Sequence, residues 1–560
     1  MLSRRDFLQV AAATAAFVPG GWSQAFAQQR LTQAELLRFE ATGNVTLLHI
    51  ADLHGQLRPL LFREPAINIG VGDTKGLVPH ISGRVLLDHY RIAPGSPSAY
   101  ALSSEDFAAL AKSYGRLGGL DRIATIVKAV RAERGDRVLL LDGGDTWQNS
   151  YTSLITKGQD MVDCLALLKP DAMTGHWEFT LGAERVKELI EKLGFKFLAQ
   201  NIRDTEWNEP AFEAMSTFDR GGVRIAVIGQ AFPYTPIANP RWMIPNWSFG
   251  IREDELRANV TKARNGGADL VVLLSHNGFD VDRKLASRVS GIDVILTAHT
   301  HDALPEAVKV GKTLLIASGC HGKFVSRLDL DIRDRQVKGY RFKLIPVFSD
   351  IIPADAEMAA TVSRIRAPHE AMLGETIGKT ESLLYRRGNF NGTLDDIICD
   401  ALLSERDAEI ALSPGFRWGT SLLPGQGITR EDIYNATAIT YPATYRMTMS
   451  GARLKEILED VADNLFNPDP YYQQGGDMVR VGGMSYTIDV DKPIGSRLSD
   501  LMVTRTGKPL EPARDYLVTG WASVNEGTEG PPVWDVVMRH IEKKRVVTAS
   551  PTSRIRVLQK

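Results

Sequence analysis

The stretch VTLLHIADLHG at residues 45–55 decides the fold. Residues 45–50 form a short β-rich run, and Asp52 and His54 follow two apart, just past its end. Open α/β sheets place their ligand loops at that end of a strand. The same layout recurs four times downstream. LDGGD at 141–145 presents Asp145 on a turn that two glycines permit. TGHWEF at 174–179 carries His176, and SHNG at 275–278 carries His276. TAHTH at 297–301 carries His299 and His301, whose i, i+2 spacing on an extended segment projects both to one side. Further β-rich runs lie at 138–141, 223–228, 270–274, 294–296 and 314–317. Amphipathic helices alternate with them; in the clearest, Leu120, Ile123, Ile126, Val127 and Val130 recur at helical spacing. The alternation predicts an α/β domain over residues 44–347.

A polar helical stretch at 348–373 reads as a linker, and residues 374–560 as a second, smaller unit of mixed helices and strands. Residues 56–119, rich in Gly and Pro, read as an insertion over the site, shaping a channel narrow enough for a flexible carrier arm. The 560 residues suffice for two or more cores. Lys and Arg total 66 against 67 Asp and Glu, so the net charge of −1 excludes a strongly basic nucleic-acid binder. Cys164, Cys320 and Cys399 are widely spaced and in no CxxC pair, which excludes a disulfide framework or thiolate zinc site as the organising feature. Cys320 reads as a buried structural thiol, although its position after a strand brings it toward the ligand segments.

Arg4 and Arg5 precede a mild apolar run and a small-x-small site at Ala25–Phe26–Ala27. Residues 1–27 therefore read as a twin-arginine signal peptide and the mature protein as periplasmic. That route exports folded protein, so a weakly held metal can be captured before copper or zinc outcompetes it. No stretch approaches the roughly 18 apolar residues of a membrane span.

Asp52, His54, Asp145, His176, His276, His299 and His301 form an oxygen and nitrogen ligand set without sulfur, which suits Mn, Fe or Zn. Two divalent ions roughly 3.5–4 Å apart activate a water and clamp the oxygens of a tetrahedral substrate.

The order DxHG, GGD, GHxEF, SHNG, HTH resembles the metallophosphoesterase domain of the 5′-nucleotidase family, and the second unit resembles that family's substrate domain. The resemblance implies a calcineurin-like αββα sandwich plus a smaller α+β domain. Within the family, GGDTWQNS (143–150), GHWEFTLG (175–182) and GWASVNEGTEGPPVWDVV (520–537) resemble the SoxB-type thiosulfohydrolases of sulfur oxidation. The resemblance implies that Asp52, His54, Asp145 and His301 hold one metal. The other would share Asp145 and take His176, His276 and His299; two Mn(II) are implied, with Fe or Zn sharing the same ligands. It further implies a monomeric hydrolase whose metal-bound hydroxide releases sulfate from a cysteine S-thiosulfonate on a SoxYZ-like carrier protein with a swinging-arm cysteine.

Phosphomonoesterases of the family carry GNHEFD, whose His and Asp assist an alkoxide leaving group. Trp177 and Thr180 replace them here, and nucleotidases usually have Asn where this chain has His176. An alkoxide needs that help, whereas a thiol pKa of about 8.5 marks a leaving group that does not. The family's two base-stacking Phe are not evident; Tyr441 and Trp521 are the nearest aromatics. Arg417 resembles the family's substrate-anion arginine, with Arg386 and Arg387 as weaker candidates; Trp177 and Arg417 are expected to line the pocket. The alternatives are a periplasmic 5′-nucleotidase or cyclic phosphodiesterase, and a non-catalytic module that keeps metal for folding.

Overall fold

A computed structural model describes residues 31–390, 392–549 and 554–558; the signal peptide read at 1–27 lies outside them. Two six-stranded sheets form the larger lobe. In the first, Val45–Ile50 lies between Val138–Asp142 (parallel) and Phe324–Arg333 (antiparallel), with Ala172–Met173, Lys196–Phe197 and Gln336–Pro346 completing it. In the second, Val223–Gln230, Leu270–Ser275, Val294–Thr297 and Thr313–Ala317 run parallel at the centre. Met215–Arg220 and Val308–Val310 are the antiparallel edges.

Leu47, Leu139 and Leu141 of the first sheet meet Val227, Val272, Leu274 and Leu296 of the second in one core. The opposite faces are also covered. Ile50 and Leu140 pack under the helix Leu120–Arg134, and Ile228, Leu273 and Ile295 under helices Glu253–Asn265 and Phe279–Arg288. Helix, sheet, sheet, helix is the layering that the αββα expectation named. Burial on both faces explains why these strands read as unbroken apolar runs rather than alternating ones. The two polar residues of the first strand find partners inside: Thr46 donates to Asp329 at 2.8 Å, and His49 Nδ1 pairs with Ser318 at 2.7 Å, while His49 Nε2 has no partner among the described residues.

Helices Ala356–Arg366 and Glu370–Leu373 lead to the smaller α+β lobe. Its central sheet runs Thr444–Ser450, Asp515–Trp521, Ile410–Gly415, Asp477–Gly482, flanked by helices Thr393–Arg406, Gly451–Phe466 and Val533–Lys544. Residues 56–119 are more helical than their composition suggests, with helices Gly83–His89, Pro97–Leu102 and Phe107–Tyr114. They tie the lobes together: Ile69 and Val71 enter a core with Phe390 and Phe466, and the Leu61 carbonyl accepts Ser421 N–H at 2.7 Å. Among the described residues no helix is long and apolar enough to cross a membrane.

Candidate metal centre

The five segments converge at the C-terminal rim of the central strands. The first two loops are stitched by backbone: Asp52 N–H donates to the Gly144 carbonyl at 2.9 Å, and His54 N–H to that of Asp145 at 2.8 Å. Gly144, at φ 90°, passes so close to the third loop that a Cβ would lie 2.9 Å from the Thr174 carbonyl. Asp52, His54, Asp145, His299 and His301 all have φ between 49° and 75°. The left-handed region costs a non-glycine residue about 1–3 kcal/mol, and such strain concentrates at functional sites.

All seven side chains come together. They form two groups, Asp52–His54–Asp145–His301 and Asp145–His176–His276–His299, each with ligand atoms within 4.8 Å of one another. Asp145 is common to both. Its Oδ2 lies 3.1 Å from His276 Nε2 and 3.3 Å from His176 Nδ1, and its Oδ1 accepts Trp177 N–H at 2.8 Å. Four rings are oriented by an acceptor on the nitrogen that points away from the cluster. His54 Nδ1 meets Asn149 Oδ1 at 2.7 Å, and His276 Nδ1 the Gly143 carbonyl at 2.6 Å. His176 Nε2 meets Asn239 Oδ1 at 3.2 Å, and His299 Nε2 the Gln474 carbonyl at 2.8 Å. Such outer acceptors fix the tautomer of ligand histidines.

The residues fit a pair of cations. Asp52 Oδ2 is buried without a hydrogen-bond partner among the described residues, and His54 Nε2 faces His301 Nε2 at 2.9 Å. Burial pushes His54 down to about 4 and lowers His299 and His301, leaving neutral imidazoles with lone pairs to offer. His276 goes the other way. Burial disfavours its charge, but Asp145 and Asp52 pull it up to about 10, so the cluster draws positive charge to its centre. Burial likewise opposes the Asp145 charge, yet His176 and His276 hold that carboxyl well below the usual range. Chelation should therefore lower the melting temperature and a divalent metal ion should restore it; a site at 100 times Kd contributes about 2.7 kcal/mol. Unchanged calorimetric melting after removal of bound ions would count against this centre.

A cleft of about 330 Å³ opens beside the cluster, lined by Trp177, Phe232, Phe416 and Trp418 as well as His54, His176, His299 and His301. Arg417 lines it too. Its Nε donates to Asp477 at 3.2 Å and its Nη1 to the Thr300 carbonyl at 3.0 Å. Arg386 and Arg387 do not line it; Arg386 is spent on Asp395 and the carbonyls of Ala436 and Pro414, and Arg387 on Glu64 and Thr300. Residues 56–119 do not line this cleft, but Asn68, Ile69, Pro79 and His80 line a neighbouring pocket that shares His299, Arg417 and Gly475 with it, and the segment also docks the lobes. Cys320 packs with Leu60 and Phe62, and its Sγ lies 3.0 Å from His321 Nδ1, outside both ligand groups.

Several residues at the site escaped the sequence reading. Glu178 is fully buried and its carboxylate accepts four backbone N–H groups, from Thr146 at 2.6 Å, His176 at 2.8 Å, and Asp145 and Trp147 at 3.3 Å. Its signal was the E of GHWEF. Phe416 and Trp418 flank Arg417 in sequence, and Trp418 stacks on His54 at 5.5 Å. Gly475, whose Cβ would lie 2.6 Å from His299 Nε2, was signalled by the paired glycines of QQGGD.

Residues 376–536 match the family model of the 5′-nucleotidase C-terminal domain. A 5′-nucleotidase of Mus musculus is 24% identical over 468 residues, covering 74% of this chain and 78% of that protein. A 5′-nucleotidase precursor from Thermus thermophilus shares the fold at TM-score 0.72 and 22% identity, over 92% of this chain and all of that one. The sulfate thiohydrolase SoxB of Thermus thermophilus superposes at TM-score 0.90 with 36% identity, over 93% of this chain and 98% of its own. At that identity and coverage, the chain belongs to the SoxB branch of the 5′-nucleotidase family of metal-dependent hydrolases.

Proposed function

We propose that this chain is a dimanganese thiosulfohydrolase, exported folded to the periplasm, that releases sulfate from a cysteine S-thiosulfonate on a SoxYZ-type carrier protein. One observation carries the reading: among the described residues, the cleft contains no proton-handling dyad for an alkoxide. Every histidine lining it is a candidate metal ligand. Trp177 packs edge-on against Phe416 and Trp418, and Thr180 is turned into the loop, donating to the Trp177 carbonyl at 2.8 Å and accepting from Gln148.

In this reading Asp52, His54, Asp145 and His301 hold one ion, and Asp145, His176, His276 and His299 the other. When bound, the ions supply Lewis acidity and a water acidic enough to act near neutral pH. The chain's own residues do the rest. Arg417, its Nε and Nη1 anchored, keeps Nη2 free of acceptors among the described residues and offers it to a sulfonate oxygen. The aromatic wall suits a polarizable sulfur chain and excludes water. The water oxygen, giving up its two protons to solvent, bonds to the sulfonate sulfur as the S–S bond breaks. Sulfate departs, and the electron pair stays on the carrier's outer sulfur as a persulfide anion.

A nucleoside is poorly served by the same wall. Phe416 and Trp418 stack on each other at 4.0 Å, and Trp177 lies parallel to Tyr441 at 6.0 Å. A base held between two rings needs roughly 7 Å, twice a van der Waals contact. Trp521 is spent on Ser413, to which its indole N–H donates at 2.8 Å.

The test offers manganese-loaded enzyme a thiosulfonated carrier cysteine and, separately, AMP. Sulfate by ion chromatography with negligible phosphate is expected. Brisk phosphate release without sulfate overturns the reading in favour of a 5′-nucleotidase. Stoichiometric manganese with turnover of neither substrate indicates a binding module.

A further inference from the structure

Thr300 stands between His299 and His301, and its carbonyl accepts from two guanidiniums of the smaller lobe. Arg417 Nη1 and Arg387 Nη2 each lie 3.0 Å away. Arg387 is buried, and its other arm donates to Glu64 Oε2 at 2.7 Å. Glu64 comes from the segment that bridges the lobes. Its second oxygen takes Lys323 Nζ at 2.5 Å, and that ammonium is fully buried, with the carbonyls of Phe62 and Ala101 completing its shell. Asp302 approaches Arg387 at 3.5 Å, and Asp477 accepts from Arg417.

Two ion pairs of this group cross the lobe boundary, Arg387 with Glu64 at 2.7 Å and with Asp302 at 3.5 Å, while Asp477 also takes Arg480 at 3.0 Å within the smaller lobe. The larger lobe brings two carboxylates, Glu64 and Asp302, and one ammonium, Lys323. The smaller lobe brings two guanidiniums, Arg387 and Arg417, and one carboxylate, Asp477. Parting the lobes would separate Arg387 from both Glu64 and Asp302 and remove both guanidiniums from the Thr300 carbonyl.

His299 and His301 both have positive φ, at 75° and 60°. Backbone in that region persists only where its surroundings over-determine it. For Asp52 and Asp145 the restraint comes from within the larger lobe. For the His299–His301 turn much of it comes from the smaller one, including the Gln474 carbonyl on His299 Nε2.

We propose that Arg387, aimed by Glu64, is a positioning residue that with Arg417 fixes the Thr300 carbonyl, so that the smaller lobe completes the metal centre. The lobes then stay docked through turnover, and substrate enters by the mouth of the cleft rather than by lobe opening. This rests on the metal reading of the seven side chains.

Two experiments on the full chain test it. Manganese uptake by Arg387→Met and Arg387→Lys is followed by titration calorimetry, with circular dichroism as a folding control. Arg387→Met leaves the Glu64–Lys323 pair balanced. It should bind one of the two ions at least about 10-fold more weakly, as loss of an outer partner does, and Arg387→Lys should recover part of the loss. Two ions bound equally well by wild type and Arg387→Met overturn the proposal alone; a wild type that takes up no ions overturns the metal reading beneath it. In the second, Lys284→Cys and Asp469→Cys replace an ion pair that spans the lobes at 2.5 Å, and a cleavable bis-maleimide joins them. The native cysteines are buried, so labelling is selective. Linked enzyme should release sulfate within about twofold of the unlinked rate; a tenfold loss reversed by cleaving the linker overturns the docked-lobe proposal.

Discussion

Replacing Asp145 by Asn is expected to abolish turnover and to leave at most one ion per chain. Asp145 is the one residue shared by both ligand groups, and its Oδ2 sits between His176 and His276. An amide carries no charge and has a single acceptor oxygen, and its NH2 has no lone pair to offer a cation, so Asn cannot serve both groups. Removing an outer partner costs roughly 10–100-fold in metal affinity or activity, so removal of a shared ligand should exceed about 100-fold. Metal content by mass spectrometry and sulfate release are read together. A variant keeping two ions and a tenth of wild-type rate would show that Asp145 bridges nothing.

The second large effect is on stability. Glu178→Ala is expected to lower the unfolding free energy by about 4 kcal/mol or more and to collapse the GGD loop. Four backbone N–H groups converge on its carboxylate, in a place water does not reach. A buried donor stripped of its acceptor costs about 1–3 kcal/mol, and losses above 4–5 are exceptional for one substitution. Burial, with the Asp145 charge beside it, pushes the Glu178 carboxyl above its usual range, and the backbone donors work against that shift. Glu178→Gln keeps one acceptor oxygen and should fall between wild type and Ala. Denaturant unfolding of the three proteins gives the ranking; equal midpoints would remove Glu178 from the loop's support.

The central strands and their ligands were legible for related reasons. Val45–Ile50, Leu270–Ser275 and their neighbours are buried on both faces, so their composition announces them without periodicity. Ligands that must meet at a sheet rim fall within a few residues of strand ends, which leaves a pattern in the chain. The long hairpin Phe324–Arg333 and Gln336–Pro346 carries a different signal, the two-residue alternation of a half-covered strand, which the sequence reading passed over. Its outer strand alternates exposed and covered positions, with charges such as Lys338, Arg341 and Lys343, and resembles surface. Phe416 and Trp418 were visible only as apolar neighbours of Arg417, since nothing local says that a ring will lie on His54.

The amino-acid sequence by itself determined the layered α/β lobe, the seven oxygen- and nitrogen-bearing side chains that gather as candidate metal ligands, and the presence of Trp177 and Thr180 in the GHWEFT segment. These are local facts: strand composition, loop chemistry just beyond it, and the identity of two side chains. Only the tertiary structure decided that Arg387 faces Thr300 rather than the cleft, and that Glu64, 323 residues away along the chain, holds it there. A buried charge takes whichever counter-charge the folded backbone brings within about 3 Å, and chain distance carries no information about that choice.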